Sequence, residues 1–248
     1  MPCSCSRIAL RFQNRMDQFN ADLEMIDLLR RCVIDGILND STGNKLFVKM
    51  DRPYPSLDRM TVSDHNRKLK ILHLRKSIYV SYIKDVYEET IQYFHDLLQE
   101  AVSKIKLDPT RIVGNHHENI DLVEILEHFY ADDLTDFIVN KIYRKIENQQ
   151  DTLNTIDQVI RKLGITLEEN IKEEAVSYLQ IRHILVHADG IADAVFRDNH
   201  TFLSYETDGK ISINRELIVK YHTKICALVK AVDKTALEMG LIEQNTID

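Results

Sequence analysis

Residues 61–106 read TVSDHNRKLKILHLRKSIYVSYIKDVYEETIQYFHDLLQEAVSKIK, and neither glycine nor proline interrupts them. Leu69, Leu72, Ile78, Ile83, Val86, Phe94, Leu97, Val102 and Ile105 recur at steps that keep a helical rhythm. That spacing lays an apolar stripe along one side of a helix. Thr61 or Ser63 offers an N-cap, and Pro109 stops the run. The stretch predicts one very long helix, or two joined end to end, and an element of that length commits the chain to a helical bundle.

Upstream, Met16, Phe19, Leu23, Ile26, Leu29, Val33 and Ile37 predict an amphipathic helix over residues 16–38. Residues 39–60 (NDSTGNKLFVKMDRPYPSLDRM) gather turn formers and a P-x-P pair, so they read as a loop and as the boundary of the chain's parts. The expected organisation is an N-terminal helical extension and loop, 1–60, and a helical domain, 61–248.

Downstream, 110–119 reads as a polar linker. Helical spacing returns over 120–147, with a break near Ala131-Asp132-Asp133. Asp151 is placed to cap a helix that ends at Gly164. Thr166 and Glu169 make a T-x-x-E capping box before a helix over 167–187. Asp208-Gly209 between Phe202-Leu203-Ser204-Tyr205 and Ile211-Ser212-Ile213 predicts a small β-hairpin over 201–213. Asn214 then caps a last helix, 215–238. The fold class is all-α: a multi-helix bundle with long antiparallel helices and one small hairpin.

Composition agrees. With 44% hydrophobic and 29% charged residues the chain is globular, and only 7 glycines and 4 prolines in 248 residues favour long helices over many short strands. The net charge of −7 argues against passive coating of duplex nucleic acid, so any RNA affinity must come from a focused basic patch. Four scattered cysteines (Cys3, Cys5, Cys32, Cys226) form no disulfide framework, which suits a reduced compartment. The N-terminal MPCSCSRIALRFQNR is too polar for a signal sequence, and no window reaches the length of a membrane span. The expectation is a soluble, cytoplasmic protein with no membrane association. No Gly-rich phosphate loop, G-x-S-x-G or Cys-His nucleophile pattern occurs, so ATPase, serine-hydrolase and dinucleotide chemistry are disfavoured and no cofactor is expected.

The chemistry-bearing segment is residues 181–196, IRHILVHADGIADAVF. It resembles the signature of the HEPN superfamily, in particular the bacterial HEPN-domain ribonuclease-like proteins with an R-x4-H motif, a following glycine and an aromatic. Arg182 stands at the motif arginine, His187 at the histidine, Gly190 at the glycine and Phe196 at the aromatic. The resemblance covers about residues 65–240. His183 stands where the family most often has asparagine after the arginine, and Ala188 where it has asparagine after the histidine.

The resemblance implies a metal-independent endoribonuclease, possible biological settings in stress, phage defence or toxin systems, and an antitoxin or other partner protein. The residue types fit that chemistry. Cleavage by the RNA's own 2′-OH needs a base, an acid and a cationic clamp on the crowded phosphate. Histidine serves as base or acid near neutral pH. Arginine binds phosphate oxygens through its planar fork and stays charged. DNA lacks the 2′-OH and cannot follow this route. One arginine and one histidine are too few for all three roles. The resemblance implies the answer: a homodimer that sets two motifs face to face. His187 is then base or acid, Arg182 the clamp and His183 an auxiliary group. On a straight helix, positions five apart diverge by roughly 140°, so Arg182 must reach around or the helix must end near Val186.

Other readings stand beside this one. A histidine at a helix C-terminus is stabilised by the dipole without any function. His183 and His187 are four apart like a zinc pair but lack the glutamate of a metalloprotease motif, so no metal is expected. His116-His117-Glu118, with Glu124, Glu127 and His128, is a His/carboxylate cluster that a solvated linker explains as well. Lys68, Lys70, Arg75 and Lys76, with Arg67, make a basic run that fits RNA phosphates or a charged outer face. Tyr79, Tyr82, Tyr87 and Tyr93 fit base stacking, a dimer seam or, more simply, packing. The rival function is a non-catalytic HEPN module binding nucleotide, RNA or a partner protein. A plain helical scaffold is a third, and it requires His187 to be buried.

Overall fold

The computed structural model describes residues 5–37, 63–104, 112–113, 121–147 and 152–245. The expected loop 39–60, the His116-His117-Glu118 cluster, the Asp151 cap and Cys3 lie outside these residues. Among the described residues eight helices follow in order: α1 (Arg7–Ile34), α2 (Asp64–Lys104), α3 (Leu122–Tyr130), α4 (Leu134–Glu147), α5 (Thr152–Leu163), α6 (Glu169–His187), α7 (Ala194–Asn199) and α8 (Arg215–Glu238). The fold is all-α.

The decisive stretch forms a single 41-residue helix, α2, about 60 Å long at 1.5 Å per residue. Ser63 starts it: its hydroxyl accepts from the Asn66 amide at 3.2 Å. From Tyr79 onward, Tyr82, Ile83, Val86, Thr90, Tyr93, Phe94, Leu97, Leu98 and Ala101 are all buried. That stripe makes α2 the axis of the bundle. Helices α1, α8, α6, α5 and α4 pack on it, each also touching the next in that order. Burying each large apolar side chain along the stripe contributes about 1.5–3 kcal/mol.

Pairings along α2 set the directions. Arg15 meets Glu89 and Tyr79 meets Asp27, so α1 runs antiparallel to α2. Tyr82 meets His222 and Tyr93 meets Asp233, so α8 runs parallel. Glu174 meets Lys224 and Tyr178 packs on Tyr221, so α6 is antiparallel to α8 and hence to α2. His95 meets Asn140 and Gln99 meets Asp136, so α4 is antiparallel to α2 as well.

Helix α1 begins nine residues before the expected start. Ser6 caps it, its hydroxyl accepting from the Ala9 amide at 3.0 Å. The buried carboxylate of Asp233 on α8 accepts from the Ser6 amide at 3.0 Å and from the Ser6 hydroxyl in a short bond. Ile8, Phe12, Met16, Leu23, Ile26 and Val33 of α1 belong to the same core as α2 and α8.

Two local expectations need correction. The capping box at Thr166 does not form: α6 starts at Glu169, with Glu168 at the cap position and no side-chain cap bond. Ile165 is buried and Leu167 packs on the core, and this alternation holds Thr166 in extended chain. The hairpin over 201–213 is also absent, and no strand forms among the described residues. The chain does reverse at Gly209 (φ 82°), with Glu206 N–H donating to Lys210 O at 2.7 Å. Only one isolated bridge, Tyr205 to Ile211, follows. Ser212 N–H also donates to Ser204 O at 2.8 Å, and the pairing ends there because the first arm turns away before Ser204. The other edge of the second arm meets the segment after α6. The Ile211 amide donates to Gly190 O at 2.9 Å, and the Ala192 amide donates to Gly209 O at 3.1 Å. Phe202 and Leu203 sit in a turn closed by the Leu203 amide on His200 O. No helix among the described residues is long and apolar enough to cross a membrane.

Candidate functional site

Helix α6 carries the motif in its last two turns. Ala175, Val176, Tyr178, Leu179, Ile181 and Ile184 face the core. The residues between them, Arg182, His183, Val186 and His187, are left on the sides of the helix that look away from it. The helix ends at His187 because the next residues leave the right-handed region. Asp189 has φ 50° and Gly190 φ 81°, and the Gly190 amide turns back to Ile184 O at 3.0 Å. Aspartate and glycine tolerate these angles; most side chains do not.

Arg182 does not reach toward His187. Its guanidinium lies 4.7 Å from the centre of the Tyr87 ring, and Nη2 donates to Glu88 Oε1 at 2.9 Å. Its Nε is buried without a hydrogen-bond partner. The arginine is thus stacked, half-buried and neutralised by a carboxylate on α2. His183 and His187 are both exposed, their ring centres 4.7 Å apart and tilted by 45°. Within one chain the arginine and the histidine pair therefore occupy different faces of α6, as a helical separation of five residues dictates. The exposure of His187 counts against the plain scaffold, which requires it buried.

Val186, on the same turn of α6, and Ile191, just past its end, are exposed apolar side chains, as are Val195 on α7 and Phe202 after it. The segment after α6 is otherwise well tied down. Asp193 caps α7 by accepting from the Phe196 amide at 2.7 Å. Phe196 packs on the core and stacks on His200 with ring centres 3.9 Å apart. His200 itself is buried, one ring nitrogen 2.8 Å from Phe196 O and the other 2.9 Å from Gln180 Oε1, so it is a structural histidine.

The basic run is only partly joined to this segment. Lys76 Nζ donates to Glu206 Oε1 at 2.9 Å, in the turn that pairs with the residues after the motif. Arg75 lies 5.6 Å from the Tyr79 ring centre. Lys70 and Lys68 sit further along α2, about 9 and 12 Å of helical rise beyond Lys76. Arg67 is buried. Of the four tyrosines, Tyr79, Tyr82 and Tyr93 are core residues, while Tyr87 underlies Arg182. Among the described residues no three His, Cys, Asp or Glu side chains gather as a metal would require, and His183 and His187 have no third ligand there.

Glu88 is the residue that sequence reasoning missed. It lies 94 positions from Arg182, and nothing in its local sequence marks it. It also lines a polar cleft of about 340 Å³ between α2 and α4 with Gln92, His95, Asn140, Tyr143 and Arg144. A second groove, about 390 Å³, runs between α1 and α2 around Met25, Leu29 and Ile78. It is largely apolar and none of the motif residues line it.

No family model, curated protein or solved structure matches this chain.

Proposed function

We propose that the chain is a metal-independent endoribonuclease of the HEPN type, acting through a composite site in a homodimer. The observation that carries the reading is the placement of R-x4-H at the free end of α6. Two histidines stand exposed together, and an arginine is held on the neighbouring face. His187 acts as base or acid, His183 assists it, and Arg182 clamps the phosphate. Arg182 is turned to Tyr87 and Glu88 rather than to the histidine pair of its own chain, so the second copy completes the site. Val186 and Ile191, exposed apolar side chains beside and just after the histidines in the chain, suit an interface there. Lys76, and beyond it Lys70 and Lys68, supply a path for RNA phosphates along α2.

The test is cleavage of mixed RNA in EDTA by wild type, His187→Ala and Arg182→Ala. The reading expects cleavage by wild type and a loss of about a hundredfold or more in each variant. An inactive wild type, or unchanged cleavage in both variants, rules it out.

Two observations favour a second reading, a non-catalytic HEPN module that binds nucleotide, RNA or a partner protein. Arg182 is already neutralised by Glu88, and Ala188 removes a polar group next to His187. RNA binding that depends on Arg182 without any cleavage identifies this case.

A further inference from the structure

The cleft between α2 and α4 has no part in the chemistry described so far, yet its lining is specific. Its floor is aromatic and apolar. Tyr143 is buried, its hydroxyl donates to Ile91 O at 2.8 Å, and its ring meets His95 edge-on with centres 4.8 Å apart. Two side-chain amides stand over that floor, each with one end engaged. Gln92 uses its NH2 on Asp96 Oδ1 at 2.7 Å, which leaves its carbonyl oxygen. Asn140 uses its oxygen on His95 Nε2 at 2.8 Å, which leaves its NH2. The cleft thus offers one free acceptor and one free donor, the pair that reads the edge of a base.

Charge at the mouth points the same way. Arg144 is exposed and pairs with no carboxylate among the described residues. Glu88 on the opposite rim is matched by Arg182, and Asp96 behind the amides is matched by Arg11. With Glu88 matched by Arg182, Arg144 is the charge left unmatched in the cleft's lining, which favours a ligand carrying phosphate. At about 340 Å³ the cleft falls within the roughly 300–1,000 Å³ of small-ligand sites.

We propose that this cleft is a nucleotide subsite. The free amide groups of Gln92 and Asn140 read the base, Tyr143 and Ile91 support it, and Arg144 holds its phosphate. Glu88 joins the cleft to Arg182, so the subsite takes the nucleotide next to the phosphate that Arg182 receives. Only that last link rests on the ribonuclease reading.

The experiment titrates the full chain with the four common nucleoside 5′-monophosphates and, separately, with inorganic phosphate, followed by NMR. It is repeated on Arg144→Glu and Asn140→Ala, both at exposed positions, with circular dichroism to verify the fold. The expected result is saturable binding of at least one nucleotide, tighter than phosphate. Arg144→Glu should weaken it about fivefold or more, and Asn140→Ala should change the ranking of the four bases. Nucleotides that bind no better than phosphate, or binding that both variants leave unchanged, overturn the proposal. Nucleotide binding of this kind in a chain that cleaves no RNA keeps the subsite and discards the ribonuclease. RNA cleavage with no nucleotide binding at this cleft does the reverse.

Discussion

Replacing Glu88 by glutamine removes the charge that neutralises Arg182 while keeping the side chain's shape. The pair is a single bond of 2.9 Å, with the Glu88 side chain 61% exposed and that of Arg182 27% exposed. Such a partly hydrated pair is worth about 0.2–1 kcal/mol, because water screens it and both side chains lose freedom in making it. An incoming phosphate must displace the carboxylate and so meets that cost. Removing the charge should therefore tighten RNA binding by about 1.5- to 5-fold. Tyr87 remains beneath the guanidinium, 4.7 Å from it, and keeps the arginine in place. The assay is fluorescence anisotropy of a short single-stranded RNA in a His187→Ala background, where cleavage does not interfere. Glu89→Gln is the control. It removes the same charge one residue away, but Glu89 serves Arg15 on α1 at 2.9 Å. The gain should appear for Glu88→Gln alone, shrink at high ionic strength, and vanish when Arg182→Ala is added. Equal affinities for the Glu88 and Glu89 variants, or weaker binding for Glu88→Gln, would refute the reasoning.

Three further outcomes follow from the structure. Asp233→Ala strips the acceptor from the Ser6 amide, the Ser6 hydroxyl and the Tyr93 hydroxyl, all buried. It should cost about 3–5 kcal/mol, seen as a fall in Tm of about 10 °C by thermal denaturation, with Asp233→Asn intermediate; a shift of less than two degrees or so contradicts this. Gly190→Ala places a Cβ 3.6 Å from Leu185 at φ 81°. The contact is ordinary and the angle is not, so the cost should be about 1 kcal/mol from backbone strain in urea unfolding, and Gly190→Asn should recover part of it. Burial lowers the pKa of His222, opposed by the charge of Asp17. It faces the Tyr82 hydroxyl from α2 and Cys226 on its own helix. A depressed folded-state pKa means that the unfolded chain binds the proton more readily. Stability should therefore be fully present above about pH 6.5 and fall as pH drops below it. Stability curves of wild type and His222→Gln between pH 5 and 8 should converge toward acid, and parallel curves reject the assignment.

The helices were legible wherever local chemistry settles them. Within the uninterrupted 61–106 stretch Asp64–Lys104 is one helix, the Ala131–Asp133 break separates α3 from α4 with Asp132 at φ 59°, and Asn214 caps α8 through the Leu217 amide. The readings that failed were local signals overruled by the structure around them. Asp208-Gly209 did make its turn, but the Leu203 amide is taken by His200 O, so the arms share a single bridge, Tyr205 to Ile211. Thr166 had a glutamate three residues on, but Ile165 and Leu167 hold it extended. The start of α1 was missed because Ser6 gains its rigidity from Asp233, 227 positions away. At the candidate site, the identities of Arg182, His183 and His187 could be read from the string. The partner of the arginine could not, since Glu88 is one glutamate among many until α2 and α6 are packed together.

That partner changes what the motif demands. On the ribonuclease reading, a two-fold arrangement that sets the His187 rings of two copies across from each other leaves each Arg182 on the flank turned toward its own α2. The arginine can serve the shared site only by exchanging Glu88 for the substrate's phosphate, which makes RNA itself the agent that completes the site. Glu88 also lines the α2–α4 cleft, so a nucleotide seated there would lie where the exchange occurs. The two rival functions then separate on a single comparison. If Glu88→Gln tightens binding and also speeds cleavage, the exchange lies on the route to the transition state. If it tightens binding and no cleavage appears in either protein, Arg182 is a recognition residue, and the exposed histidines are not acting on the RNA.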